Sequence, residues 1–139
     1  MSRYLFDTDA FSLFLQHNPT VVGAVIRHIS DQVAVSIITV QEVWDGWEAV
    51  ITRAKTPDQL AVAYSRLTDT LNELKNWSVV TFSTAAVIRY ATLKKQKLNV
   101  GSNDLKIAAI AIETGATVVT RNRRDFTRIP GVVVEDWAL

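Results

Sequence analysis

GSNDLKIAAIAIETGATVVTRN, residues 101–122, reads as a loop, a helix, a turn and a strand in immediate succession. Gly101, Ser102 and Asn103 form the loop, and a helix is predicted over 104–114. Ile107, Ala108, Ile110, Ala111 and Ile112 leave that helix almost no polar face. A helix apolar all round belongs in the interior. Gly115 is its natural C-cap, because glycine adopts the left-handed conformation without steric cost. Residues 116–120 form a strand, and TRNRRDF beyond it a turn. A buried helix running straight into an apolar strand is the building unit of a helix-covered parallel sheet.

The chain outward from this block repeats the unit. Residues 3–6 predict a strand ending at Asp7. Thr8 or Asp9 caps a helix over 10–16, and Pro19 opens a second helix over 19–29. VAVSIIT, residues 33–39, is apolar and β-branched and predicts a strand buried on both faces. Further helices are expected over 40–55 and 56–74, a strand over 78–82, a helix over 83–98 and a short strand over 132–135. The expectation is a three-layer α/β/α sandwich around a mainly parallel sheet of four to five strands. No repeat, linker or low-complexity segment interrupts the 139 residues, so one domain over 1–139 is expected.

Composition narrows the function classes. A hydrophobic content of 48% with 21% charged residues describes an ordinary globular chain rather than a disordered one. The absence of cysteine excludes disulfides and thiolate metal sites. No signal-peptide core and no membrane-length apolar run is present, which points to a cytoplasmic protein without membrane contact. Net charge is +1 but unevenly spread. Residues 89–128 hold Arg89, Lys94, Lys95, Lys97, Lys106, Arg121, Arg123, Arg124 and Arg128 against Asp104, Glu113 and Asp125. A basic half beside site acids suits a nuclease, which must draw phosphates towards a cation. Lys94, Lys95 and Lys97 read more simply as a solvated helix face. The arginines beside Asp125 fit either a surface or an RNA-binding role.

Four carboxylates, Asp7, Glu42, Asp104 and Asp125, each fall where a strand or helix begins or ends. In parallel α/β sheets the functional crevice lies beyond the carboxyl ends of the strands. Taken singly, each has an ordinary explanation: Asp7 and Asp104 as helix caps, Glu42 as a first-turn acid favoured by the macrodipole, Asp125 as a surface partner of Arg123 or Arg128. Asp9 also fits a cap. Together on one rim the four would repel one another unless a cation neutralised them, which implies a divalent metal. With no cysteine and no histidine cluster, an all-oxygen set suits Mg²⁺ or Mn²⁺ and not zinc. Thr120 and Asn122 are placed to orient such carboxylates. Trp44 and Trp47 read as core or interface anchors, and His17 and His28 as surface residues. No phosphate-binding glycine loop, dinucleotide fingerprint or nucleophile elbow occurs.

LFDTDAFS at the start, SIITVQEVWDG, the GSNDLKIAAIAIETGATVVTRN block and the closing RDFTRIPGVVVEDW resemble a PIN domain, in particular the VapC-type toxins of bacterial toxin–antitoxin pairs. The resemblance spans essentially the whole chain. It implies a metal-dependent endoribonuclease that inhibits translation and growth, usually dimeric, silenced by a VapB-like antitoxin. It places the family's acids on Asp7, Glu42, Asp104 and Asp125 as catalytic and metal-binding residues, with Thr8, Thr120 and Asn122 as auxiliaries. Relatives vary at the positions of Asn122 and Asp125, so those two share the fourth acid's role. Arg121, Arg123 and Arg124 are then candidates for RNA phosphates. Two other readings fit the residues less well. An inactive PIN-type RNA-binding or scaffolding protein has no reason to keep four mutually repelling acids. A receiver-like signalling domain would need an acceptor Asp after a central strand, and VAVSIIT and SVVTF end without one.

Overall fold

The computed structural model describes residues 1–139. Its elements run β1 (Arg3–Phe6), α1 (Thr8–Leu15), α2 (Pro19–Arg27), β2 (Gln32–Ser36), α3 (Ile37–Arg53), α4 (Pro57–Leu74), β3 (Ser78–Val80), α5 (Thr84–Lys95), α6 (Ser102–Thr114), β4 (Thr117–Val119), α7 (Arg123–Phe126) and β5 (Val134–Glu135). The five strands make one sheet in the order β3-β2-β1-β4-β5, and every pairing is parallel.

Side chains of a strand alternate between faces, and here the alternation divides the core. Leu5, Ala34 and Val118 point to one side, where they meet α5 and α6 through Ala86, Leu93, Leu105 and Ile107. Phe6, Val35 and Val119 point to the other, against Phe11 of α1, Val21 of α2 and Trp137 near the C-terminus. The expected three-layer sandwich is therefore present. Trp77 contributes edge-on contacts to Phe6, Phe11 and Phe14 at ring separations of 5.0–5.1 Å. Burying an aromatic of this size stabilises the fold by about 2 kcal/mol or more.

Several boundaries depart from the sequence expectation, each for a local reason. The strand predicted over 33–39 stops at Ser36, whose hydroxyl accepts from the Thr39 amide at 3.3 Å and caps α3. A cap at Ser36 overrides the β-branched preference of Ile37, Ile38 and Thr39. Glu42 thereby sits in the second turn of α3, not the first. The helix predicted to 98 ends at Lys95, because Lys97 and Asn99 turn left-handed, with φ of 52° and 59°. Leu98 and Val100 then pack onto the core. The strands expected over 78–82, 116–120 and 132–135 shorten to β3, β4 and β5, and the TRNRRDF turn contains the single-turn α7. His28 is no surface residue: its ring stacks on Trp137 at 4.1 Å and its Nδ1 lies 2.7 Å from the Ala24 carbonyl. No helix is long and apolar enough to cross a membrane.

Candidate active site

β1 and β4 are neighbours in the sheet, yet the chain leaves their carboxyl ends towards different helices. This is the point where strand order reverses, and in open α/β sheets it is where ligands bind. Asp7 stands there, its amide donating to Val119 of β4 at 3.0 Å. Its carboxylate does two jobs. Oδ1 accepts from the Ala10 amide at 2.8 Å and caps α1, while Oδ2 accepts from the Thr120 hydroxyl at 2.5 Å. Asp7 is thus both the cap that an isolated reading favours and the buried anchor of the rim, at 3% exposure. Burial pushes its pKa up to about 6, Asp9 and Asp104 add to the rise, and the bonds from Thr120 and Ala10 oppose it.

The other acids surround it from three elements. Asp104, the third residue of α6, is half-buried. Its pKa is raised first by burial, then by the charges of Glu42 and Asp125, with the Asn122 amide offsetting part of the rise. The N-cap of α6 is Gly101, so Asp104 is not the cap that its position suggested. Glu42 of α3 accepts from the Thr8 hydroxyl at 2.6 Å, and that hydroxyl shares a 3.1 Å bond with Thr39. Asp125 of α7 accepts from the Asn122 side-chain amide at 2.9 Å and lies 3.6 Å from Arg128. Asn122 also donates its backbone amide to Thr120 Oγ1 at 2.8 Å, which links the Asp125 turn to the Asp7 anchor.

Asp104 is therefore the electrostatic hub, within coulombic reach of Asp7, Glu42 and Asp125. Each carboxylate is at present turned onto protein donors, and no three acidic or histidine side chains stand close enough to enclose an ion. The donor set is wholly oxygen, which suits a hard divalent cation. Burial is the main cause that raises the pKa values of Asp7 and Asp104, the neighbouring carboxylates add to it, and a bound cation would offset both. The residues present thus fit a hard metal ion.

Among the proposed RNA-binding arginines, Arg121 is engaged with Asp9 through two hydrogen bonds of 2.8 and 2.9 Å. Asp9 is accordingly a fork for Arg121 rather than a helix cap. Arg123 and Arg124 are exposed on α7. Trp47 is tied to α4 by its indole bond to Thr70 at 3.0 Å, whereas Trp44 remains 48% exposed. Sequence reasoning passed over Thr39, and it offered Arg128 only as a surface partner of Asp125. Thr39 carried a signal, since it lies i, i+3 from Glu42 on one helix face. Arg128 donates to the Asn99 carbonyl at 3.1 Å while facing Asp125. A groove of about 1090 Å³ between α1, α3 and α4 opens beside the rim, with Thr8 and Glu42 among its lining residues. The carboxyl ends of β2 and β3 carry Ser36 and Val80, so no acceptor Asp stands there for a receiver-like reaction.

Residues 4–132 match the model of the PIN domain family. The chain is 31% identical over 112 residues to Ribonuclease VapC2 of Rickettsia felis, covering 78% of this chain and 76% of that protein. It is 28% identical over 141 residues to the tRNA(fMet)-specific endonuclease VapC of Salmonella typhimurium, covering 99% of each. Among solved structures, DNA-bound VapBC from Salmonella typhimurium superposes with a TM-score of 0.80 at 26% identity, over 99% of both chains. VapBC2 from Rickettsia felis, bound to a promoter DNA fragment, superposes at 0.79.

Proposed function

The chain belongs to the PIN domain family, and on that premise we propose that it is a metal-dependent endoribonuclease acting as the toxin of a toxin–antitoxin pair. The observation that carries this is the coupling of Asp7, Glu42 and Asp125 to Asp104 at the reversal point of the sheet. We assign residues 1–139 to one PIN domain and the protein to the cytoplasm. Asp7, Glu42, Asp104 and Asp125 would hold Mg²⁺ or Mn²⁺, with Thr8, Thr120 and Asn122 as their supports. When bound, such an ion supplies acidity to water and neutralises charge on the phosphate.

The chain's own residues do the rest. Thr120 and the Ala10 amide hold Asp7 in one orientation, and Thr8, at the start of α1, fixes Glu42. Asn122 and Arg128 restrain Asp125. Arg123 and Arg124 attract the RNA backbone, and Arg121, aimed by Asp9, stands over the same rim. Asp7 and Thr120 are buried while Asp104 is half-buried, so the site is more accessible to a phosphate on the Asp104 side.

The relatives support a VapB-like antitoxin as partner. A segment lying in the groove between α1, α3 and α4 reaches Thr8 and Glu42, and a cationic side chain on it would compete with the metal. A homodimer or a toxin–antitoxin hetero-oligomer is the expected assembly. The test is incubation of the purified protein with RNA, initiator tRNA first because the Salmonella relative is named for it, and with DNA of the same sequence. Cleavage of RNA in Mg²⁺ that EDTA stops is the expected result. An absence of metal-dependent RNA cleavage across tRNA, ribosomal RNA and messenger RNA overturns the proposal.

A further inference from the structure

Lys94, one of the exposed lysines of the α5 face, converges with Lys106 of α6. Lys94 comes from the last turn of α5 and Lys106 from the second turn of α6, yet both ammonium groups approach one ring. Lys94 Nζ lies 5.8 Å and Lys106 Nζ 5.6 Å from the centroid of Tyr90. The Tyr90 hydroxyl shares a 2.8 Å hydrogen bond with Ser102 Oγ, the first residue of α6. Like charges converging on one aromatic ring are held there by its negative face. Neither lysine has an acidic partner: the three ion pairs of the chain belong to Arg89, Arg121 and Arg128. Glu113, the acid of α6 other than Asp104, is engaged by Arg89. The bond to Ser102 and the two ammonium groups draw the Tyr90 phenol below its ordinary pKa, as expected in a local field that favours anions.

We propose that Tyr90, Lys94, Ser102 and Lys106 form a phosphate-binding subsite for the RNA backbone adjoining the scissile bond. It rests on the nuclease reading given above. Ser102 and Lys106 share one face of α6, about 3 Å along the axis on either side of Asp104 and turned about 200° from it around the helix. An RNA strand that leaves the acidic rim and passes around the start of α6 meets two unpaired ammonium groups and two hydroxyls on that flank. The free amides at the start of α6, whose N-cap Gly101 has no side chain to bond them, favour the same ligand. Tyr90 is the positioning residue of the cluster, holding charges from two helices in one place.

The test is fluorescence anisotropy of a labelled single-stranded RNA in EDTA, where no cleavage occurs, between 50 and 200 mM salt. The double variant Lys94→Ala/Lys106→Ala is compared with Lys55→Ala/Lys75→Ala, which removes the same charge from exposed positions flanking α4. The subsite predicts a roughly tenfold or greater loss of affinity in the first variant only. The slope of log K against log salt should also fall by about 1.4, the share of two phosphate contacts on a single strand. Tyr90→Phe, which keeps the ring, should retain most of the affinity, and Tyr90→Ala should not. Equal losses in both double variants, or an unchanged slope, overturn the subsite while leaving the nuclease reading intact. So does loss of polyglutamate binding with RNA binding kept, which would make the cluster a peptide site. A wild type that neither binds nor cuts RNA removes both.

Discussion

At the scale of single residues, Asp7 concentrates the conflict that makes the site. It is buried, it caps a helix, and its pKa stands near 6 against an ordinary 3.8. A carboxyl raised in the folded state binds more protons folded than unfolded between those two values. Its contribution to stability is complete below about pH 3.8 and is lost as pH rises through about 6. The full difference is about 3 kcal/mol. Urea unfolding in EDTA should show wild type losing stability relative to Asp7→Asn as pH rises from 4 to 7, since asparagine keeps the cap and cannot ionise. A constant difference across that range would contradict the assignment. RNA cleavage should follow the opposite trend, rising with pH as Asp7 ionises. The four acids stood out in the sequence because it predicts an element boundary near each, although Glu42 comes to lie in the second turn of α3. Their supports stood out less. The Thr8–Thr39 bond, the tie of Arg128 to Asn99 and the Asp9–Arg121 pair join segments far apart in the chain, which local spacing does not announce.

At the scale of elements, the stretch 101–122 behaves nearly as its residues dictate. α6 holds Leu105 and Ile107 to Ala111 buried, and it ends at Gly115 with φ of 68°. No atom lies within 4 Å of the position a Cβ would take there, so Gly115→Ala is penalised by backbone strain alone. A loss of about 1 kcal/mol is expected, with Gly115→Asn milder, both measured by urea unfolding. A loss above about 3 kcal/mol in Gly115→Ala would show that packing rather than φ governs the turn. Where the sequence misled, a side chain decided a boundary that propensity could not. Ser36 turns the β-branched run after it into helix, and two left-handed residues, Lys97 and Asn99, end α5 early so that Leu98 and Val100 reach the core. Periodicity reports the preference of a segment, whereas a cap or a core contact from elsewhere overrides it.

At the scale of the whole molecule, function depends on strand order. Alternating strands and helices announced a parallel sheet, but not that β1 would lie between β2 and β4. That order brings the ends of β1 and β4 together and lets α3, α6 and α7 deliver acids to the gap. Strand order rests on which apolar faces fit one another across distant segments, and a single sequence does not display it. The charge split follows the same elements: α6 and α7, which carry Asp104 and Asp125 to the rim, also carry Lys106, Arg123 and Arg124. A rim of this kind attracts a polyanion and holds a cation at its centre. Asp104 is the hub of that arrangement, coupled to the other three acids while supplying no cap to α6. Its replacement should therefore remove chemistry and spare the fold. The most direct measurement is RNA cleavage in Mg²⁺ by purified Asp104→Asn, shown to be folded, beside wild type. The expected loss is no smaller than the roughly hundredfold that weakening a metal site's supporting partners already produces. Metal-dependent cleavage by the variant at the wild-type rate would contradict it.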